Sequence, residues 1–182
     1  MRVRSPEPPD WGQIPALEAR GEAARQPDGS LRIPTSAGPV TAMLIDGGAR
    51  LLLGEPPPPD YGILETSPSL LQADIDTDTV RTSLRHGDLR LEIGHSPLTL
   101  RLERGGRMVL QSAEDGHFVR RHRLPPFART DDGWLISLDL DHETPVYGLG
   151  EKWGRLDRRG TLLRSFNEDA LGVNAERSYK NA

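Results

Sequence analysis

Between Val80 and Leu110 apolar and polar positions alternate with a period of two. Val80, Thr82 and Leu84 alternate with charged or polar neighbours up to a turn at His86-Gly87, and Leu89, Leu91 and Ile93 alternate with Asp88, Arg90 and Glu92. After Ser96-Pro97, Leu98, Leu100 and Leu102 alternate with Thr99, Arg101 and Glu103, and Gly105-Gly106 then turns the chain into Met108-Val109-Leu110. Successive side chains on a strand point to opposite faces, so each segment predicts a strand with one buried and one wet face. Strands joined by turns this short pair antiparallel and build sandwiches or barrels. Trp134, Ile136, Leu138 and Leu140 repeat the pattern and predict one more half-buried strand.

Upstream, Val40 to Ile45 and Arg50 to Leu53 flank Asp46-Gly47-Gly48, a turn sequence of the kind that closes hairpins. Pro56 to Pro59 breaks any regular element and predicts a stiff surface loop. Residues 14–25 carry a thin apolar stripe that predicts a short helix, weakened by Gly21. The first dozen or so residues, polar and rich in proline, predict a loose arm. The expected organisation is an arm with a short helix over 1–38, followed by an all-β antiparallel sandwich over 39–182.

With 182 residues the chain can hold one domain with a respectable core. It cannot also hold a (β/α)8 barrel, which needs roughly 250 residues. Sixteen prolines, about twice the usual share, favour turns and short strands over long helices. The net charge of −4 has the wrong sign for a general polyanion binder. The run Arg120-Arg121-His122-Arg123 is short enough to be a solvated loop or the charged guard of a strand edge, so nucleic acid is not an expected partner. There is no cysteine, hence no disulfide and no thiolate metal site. Neither an apolar leader nor an apolar run long enough to span a bilayer occurs, so the expected protein is cytoplasmic and has no membrane partner.

Candidate chemistry is thin. Asp74-Ile75-Asp76-Thr77-Asp78 begins like a calcium loop, but Thr79 stands where glycine is needed and Arg85 where the closing glutamate belongs. An exposed acidic strand edge explains the run without a metal. The five histidines are scattered and show no metal-ligand spacing. Gly148-Leu149-Gly150-Glu151-Lys152-Trp153-Gly154 is out of register with a dinucleotide fingerprint and is followed by no helical pattern, so no nucleotide or other cofactor is expected. Four carboxylates remain near the end: Glu151, Asp157, Glu168 and Asp169. Glycoside hydrolysis needs two carboxyl groups facing across a sugar, but each of these acids, taken alone, reads as a turn or surface residue.

In order, however, the segments Tyr147-Gly148-Leu149-Gly150-Glu151, Leu156-Asp157-Arg158-Arg159-Gly160, Phe166-Asn167-Glu168-Asp169 and Ser178-Tyr179-Lys180-Asn181 resemble the lead-in to the catalytic barrel of glycoside hydrolase family 31, the α-glucosidases and α-xylosidases. Each motif alone is weak; four in order are specific. The resemblance covers residues 75 to 182 well and the first 70 loosely. Phe166 stands where the family often has tryptophan.

The resemblance implies an N-terminal, galactose mutarotase-like β-sandwich. Its residues 166–182 would form a loop reaching toward a (β/α)8 barrel that lies outside this chain. It implies that Asp169 contacts an α-linked glucoside or xyloside, with Asn167 a second candidate that holds the loop, and that Glu151 and Arg159 are structural. The catalytic aspartates of the family are in the barrel, so no catalytic residue carries over onto this chain. Two alternatives stay open from the sequence: a free-standing carbohydrate-binding module, for which only three each of Trp, Tyr and Phe are available, and a structural domain without a ligand.

Overall fold

The computed structural model describes residues 14–55, 69–113, 117–119, 122–131, 133–141, 143–148 and 155–160. The chain divides into two units, Met1–Asp139 and Leu140–Ala182. The first is a sandwich of two antiparallel sheets.

One sheet runs in the order β1-β2-β3-β4, from β1 (Ala24–Arg25), β2 (Leu31–Ile33), β3 (Val40–Ile45) and β4 (Gly48–Leu53). The expected hairpin is present: Ile45 pairs with Gly48, leaving Asp46 and Gly47 as a two-residue turn. Gly47 has φ +86°, which only glycine adopts without strain.

The other sheet follows the order β14-β9-β8-β7-β6-β5. Its strands are β5 (Asp74–Thr77), β6 (Arg81–His86), β7 (Leu89–His95), β8 (Leu98–Arg104), β9 (Arg107–Ser112) and β14 (Leu138–Asp139). Neighbours in sequence are neighbours in space from β5 to β9, which is the meander that the alternation predicts. Arg104 pairs with Arg107 across Gly105-Gly106, both at positive φ, as a two-residue primed turn requires. Two further hairpins are β10 (His117–Val119) with β11 (His122–Leu124), and β12 (Phe127–Thr130) with β13 (Gly133–Ile136).

The inner faces supply the core. Leu31, Ile33, Val40, Ala42 and Leu44 come from the smaller sheet, and Leu84, Leu89, Leu91, Ile93, Leu98 and Leu100 from the larger. Leu17, Ala73 and Phe127 complete the cluster. Two buried hydroxyls are accommodated by hydrogen bonds, as burial demands. Thr82 Oγ1 lies 3.2 Å from Thr77 Oγ1 and 3.0 Å from His95 Nε2, and Ser112 Oγ accepts the Leu100 amide at 2.8 Å.

Three expectations need correction. Residues 14–25 are not helical. The Leu17 amide donates to Phe127 O, the Leu98 amide to Leu17 O and the Ala19 amide to His95 O, so the backbone bonds a helix would make internally go to other strands. Leu17 is thereby buried to 1% exposure, and Gly21 at φ +92° turns the chain toward β1. Strand pairing starts at Ala24, ahead of the expected beginning of the sandwich at 39, because Leu31 and Ile33 pair with β3 and fill the core.

The third concerns residues 134–140, which form two strands with different partners, β13 against β12 and β14 against β9. Between them the Ser137 amide donates to Pro126 O and Ser137 O accepts from Ala113. This crossover buries Ser137 and leaves Ile136 and Leu138 exposed. Period two fixes which residues share a face, but not which face turns inward.

Candidate functional site

Unit Leu140–Ala182 contains the acidic motifs singled out from the sequence. Its described residues are held by side chains bonding to backbone and by a backbone bond between Arg158 and Val146. Asp157 Oδ1 accepts the Val146 amide and the Arg159 amide, each at 3.0 Å. The Arg158 amide donates to Val146 O at 2.7 Å, so both backbone groups of Val146 are engaged by consecutive residues. Arg159 Nη1 donates to the carbonyls of Asp141 and Thr144, each at 2.6 Å.

An aspartate accepting an amide two residues ahead is the standard side-chain mimic of a backbone turn. It explains why Leu156-Asp157-Arg158-Arg159-Gly160 reverses here, with Gly160 at φ +71°. The two donated backbone hydrogen bonds, from Arg159 first and Val146 second, hold the Asp157 carboxyl below its ordinary range, with smaller help from Arg155 and Arg159. Asp157 and Arg159 are thus structural among the described residues, as turn chemistry and the family resemblance respectively imply.

The outer face of the larger sheet carries a shallow depression of about 480 Å³. Its floor is Gly94 and Thr99, paired across β7 and β8, where a Cβ on Gly94 would collide with Thr99 Oγ1. Five charged side chains zigzag along it. Glu92 bridges Arg81 (2.6 Å) and Arg90 (2.8 Å), and Glu103 lies 3.8 Å from Arg90 and 2.8 Å from Arg101. With both carboxylates held by guanidiniums, this surface does not offer the facing acid and base that glycoside hydrolysis requires. Arg90 Nε is buried and has no hydrogen-bond partner among the described residues, but it is shielded from any incoming ligand as well. Cross-strand pairing of opposite charges on a wet face explains the arrangement.

Sugar stacking would need an open aromatic face. Among the described aromatic side chains, Phe127 is buried, and the Trp134 ring has Arg129 5.1 Å above it and the Gly54 backbone beside it. Tyr147 is exposed.

The Asp74–Asp78 run forms the edge strand β5 and the turn after it, where Asp78 Oδ1 accepts the amides of Val80 and Arg81. Among the described residues no group of three or more His, Asp or Glu could hold a metal ion. The site candidates Asp169 and Asn167, and with them Glu151 and Glu168, lie outside the described residues. What sequence reading missed is the pairing of Asp157 with Val146. The Asp157-to-Arg159 turn is local and legible, whereas the bond across to Val146 depends on how the intervening chain closes.

Residues 46–182 match the family described as the glycosyl hydrolase 31 N-terminal galactose mutarotase-like domain. Two solved structures resemble the fold, both of the GH31 dextranase of Flavobacterium johnsoniae: a point mutant complexed with isomaltotriose, and the enzyme complexed with glucose. Each has a TM-score of 0.65 and 15% sequence identity and covers 92% of this chain. The chain spans 21% of the length of those structures. No curated protein matches it. The family match takes in the whole of the larger sheet, β4 of the smaller one and all four motifs near the end, and on that ground the chain belongs to the N-terminal galactose mutarotase-like domains of glycosyl hydrolase 31.

Proposed function

We propose that this sandwich serves a retaining α-glycosidase of cytoplasmic location as its N-terminal domain, joined to a (β/α)8 barrel that carries the nucleophile and the acid/base. Its own contribution is an acidic loop. Asp169 accepts a hydrogen bond from a hydroxyl of an α-linked glucoside or xyloside, and Asn167 holds the loop. A charge-assisted bond of this kind contributes about 1.5–3 kcal/mol. It selects and orients the sugar, while bond cleavage belongs to the barrel.

The observation that carries this reading is the family match over residues 46–182, which includes the motif holding Asp169. The bound isomaltotriose and glucose of the structurally similar dextranase support a glucose-built substrate.

Two measurements test it. The isolated chain should release no nitrophenol from a nitrophenyl α-glucoside; measurable turnover rejects the division of labour. In the polypeptide that joins this domain to its barrel, Asp169→Asn should lower kcat/KM for α-glucosides by roughly tenfold to a hundredfold. An unchanged kcat/KM removes Asp169 from the substrate site.

A further inference from the structure

We infer that one end of the sandwich is a strand-accepting slot, a site for an extended segment that buries a leucine and, two residues on, a small side chain. In this chain the slot is filled by residues 17–20, which form a detachable strap. The inference does not depend on the glycosidase reading above.

The strap is gripped as a central strand is, by hydrogen bonds on both sides. On one side the Leu17 amide donates to Phe127 O at 2.8 Å, the Ala19 amide donates to His95 O at 2.8 Å, and Leu17 O accepts the Leu98 amide at 2.6 Å. On the other, the Arg20 amide donates to Pro34 O at 2.7 Å, Glu18 O accepts the Ser36 amide at 2.9 Å, and the Glu18 amide donates to Ser36 Oγ at 3.2 Å. Odd residues bond to one wall and even residues to the other, which is the alternation of a strand in a ladder. His95 ends β7 and Leu98 begins β8 in the larger sheet, whereas residues 34–36 connect β2 to β3 in the smaller one. The strap therefore stitches the two sheets together while belonging to the strand order of neither.

Its side chains alternate as well. Leu17 is buried in the core cluster and Ala19 packs against that cluster, while Glu18 and Arg20 stay outside and pair with each other at 2.9 Å. Backbone bonds give such a slot its grip on any extended chain, and the leucine pocket gives it selectivity. None of these contacts requires covalent continuity with β1. Gly21 and Glu22, which link the strap to the sheet, are exposed, and Gly21, at φ +92°, has open space around it. An edge element anchored in the core by Leu17 opens at a lower free energy than the core itself. Once it leaves, donors and acceptors on both walls await a strand of the same pattern.

Cutting the link in the folded chain tests this. A protease recognition sequence inserted between Gly21 and Glu22 lets the whole chain fold before it is cleaved. The severed strap should exchange with a fluorescent peptide of residues 14–21, and the same peptide carrying Leu17→Asp should bind roughly tenfold more weakly or worse. With the strap washed away, the Leu98 amide should lose its protection in hydrogen exchange while the Leu91 amide keeps it, and added peptide should restore Leu98. A severed strap that does not exchange overturns the inference, as does a peptide that fails to restore Leu98. Loss of Leu91 protection along with Leu98 overturns it too, because strap and core would then be one cooperative unit. Unchanged Leu98 protection in the emptied chain would mean that the strap does not hold that wall. No readout here involves glycoside turnover, so the slot and the glycosidase reading stand or fall separately.

Discussion

The β6–β8 meander and the segment from 141 to 160 are stabilised by opposite means. In the meander, Leu84, Leu91 and Leu102 lie opposite one another across three strands, and the first two are completely buried. No described residue of the later segment is in the core cluster, and Tyr147 and Leu156 are among its exposed side chains. Its described residues are joined by hydrogen bonds to one aspartate and one arginine and by the backbone bond from Arg158 to Val146. Apolar burial is cooperative and non-directional, so it makes a scaffold. A few directed hydrogen bonds fix a geometry locally and open without unfolding the rest. A domain that presents a loop needs both.

The largest effect expected from this contrast is at Leu91. Replacing it with alanine leaves a cavity between the sheets and should cost about 2–5 kcal/mol, a large part of the 5–15 kcal/mol typical of a domain. A clear fall in the denaturant midpoint with little change in slope would bear this out. A midpoint unchanged from the parent chain would mean that the sandwich is not what holds the molecule together.

A smaller and more pointed effect is expected on the outer face. Gly94→Ala forces a methyl group toward Thr99 Oγ1, and turning that hydroxyl out of the way costs about 0.5–1.5 kcal/mol. Thr99→Ala should relieve it, making the double variant more stable than Gly94→Ala alone. If the two substitutions are simply additive, the close approach of β7 and β8 side chains is not the cause.

How far the sequence foretells each region follows the same divide. The meander is legible because its information is local: alternation names the faces, and Gly105-Gly106 and Asp46-Gly47 name the turns. Legibility fails where distant partners decide. Leu17 and Ala19 are drawn into an extended path by Phe127, Leu98 and His95, none of which a window of sequence around them contains. At Ile136 and Leu138 the period is right and the face is wrong, because bonds from Ser137 to Pro126 and Ala113 set the orientation. Asp157 is recognisable as a turn residue, but its bond to Val146 crosses eleven positions. Asp169 and Asn167 were named by family resemblance alone; neither alternation nor spacing picks them out.

Acid should separate the two regions with the least disturbance. The folded Asp157 carboxyl titrates below its ordinary value of 3.8 because it accepts the Arg159 and Val146 amides. A lowered folded value means that the contribution is complete above the unfolded pKa and is lost as pH falls through the folded one. The bonds from Val146 and Arg159 to Asp157 should therefore be intact at pH 5 and release only below about 3.8. Asp28 and Asp78 in the sandwich are lowered for the same reason, by hydrogen bonds from Ser30 and from Val80 and Arg81, so their turns should loosen in the same window. Among the described residues, however, no buried side chain is a carboxylate, and Leu91 should keep its amide protection while the Val146 and Arg159 amide resonances shift together with a single midpoint under 3.8. Resonances of Val146 that titrate at or above that value, or not at all, would show that Asp157 does not hold the segment. Loss of Leu91 protection at the same midpoint would show that scaffold and loop are one cooperative unit rather than two.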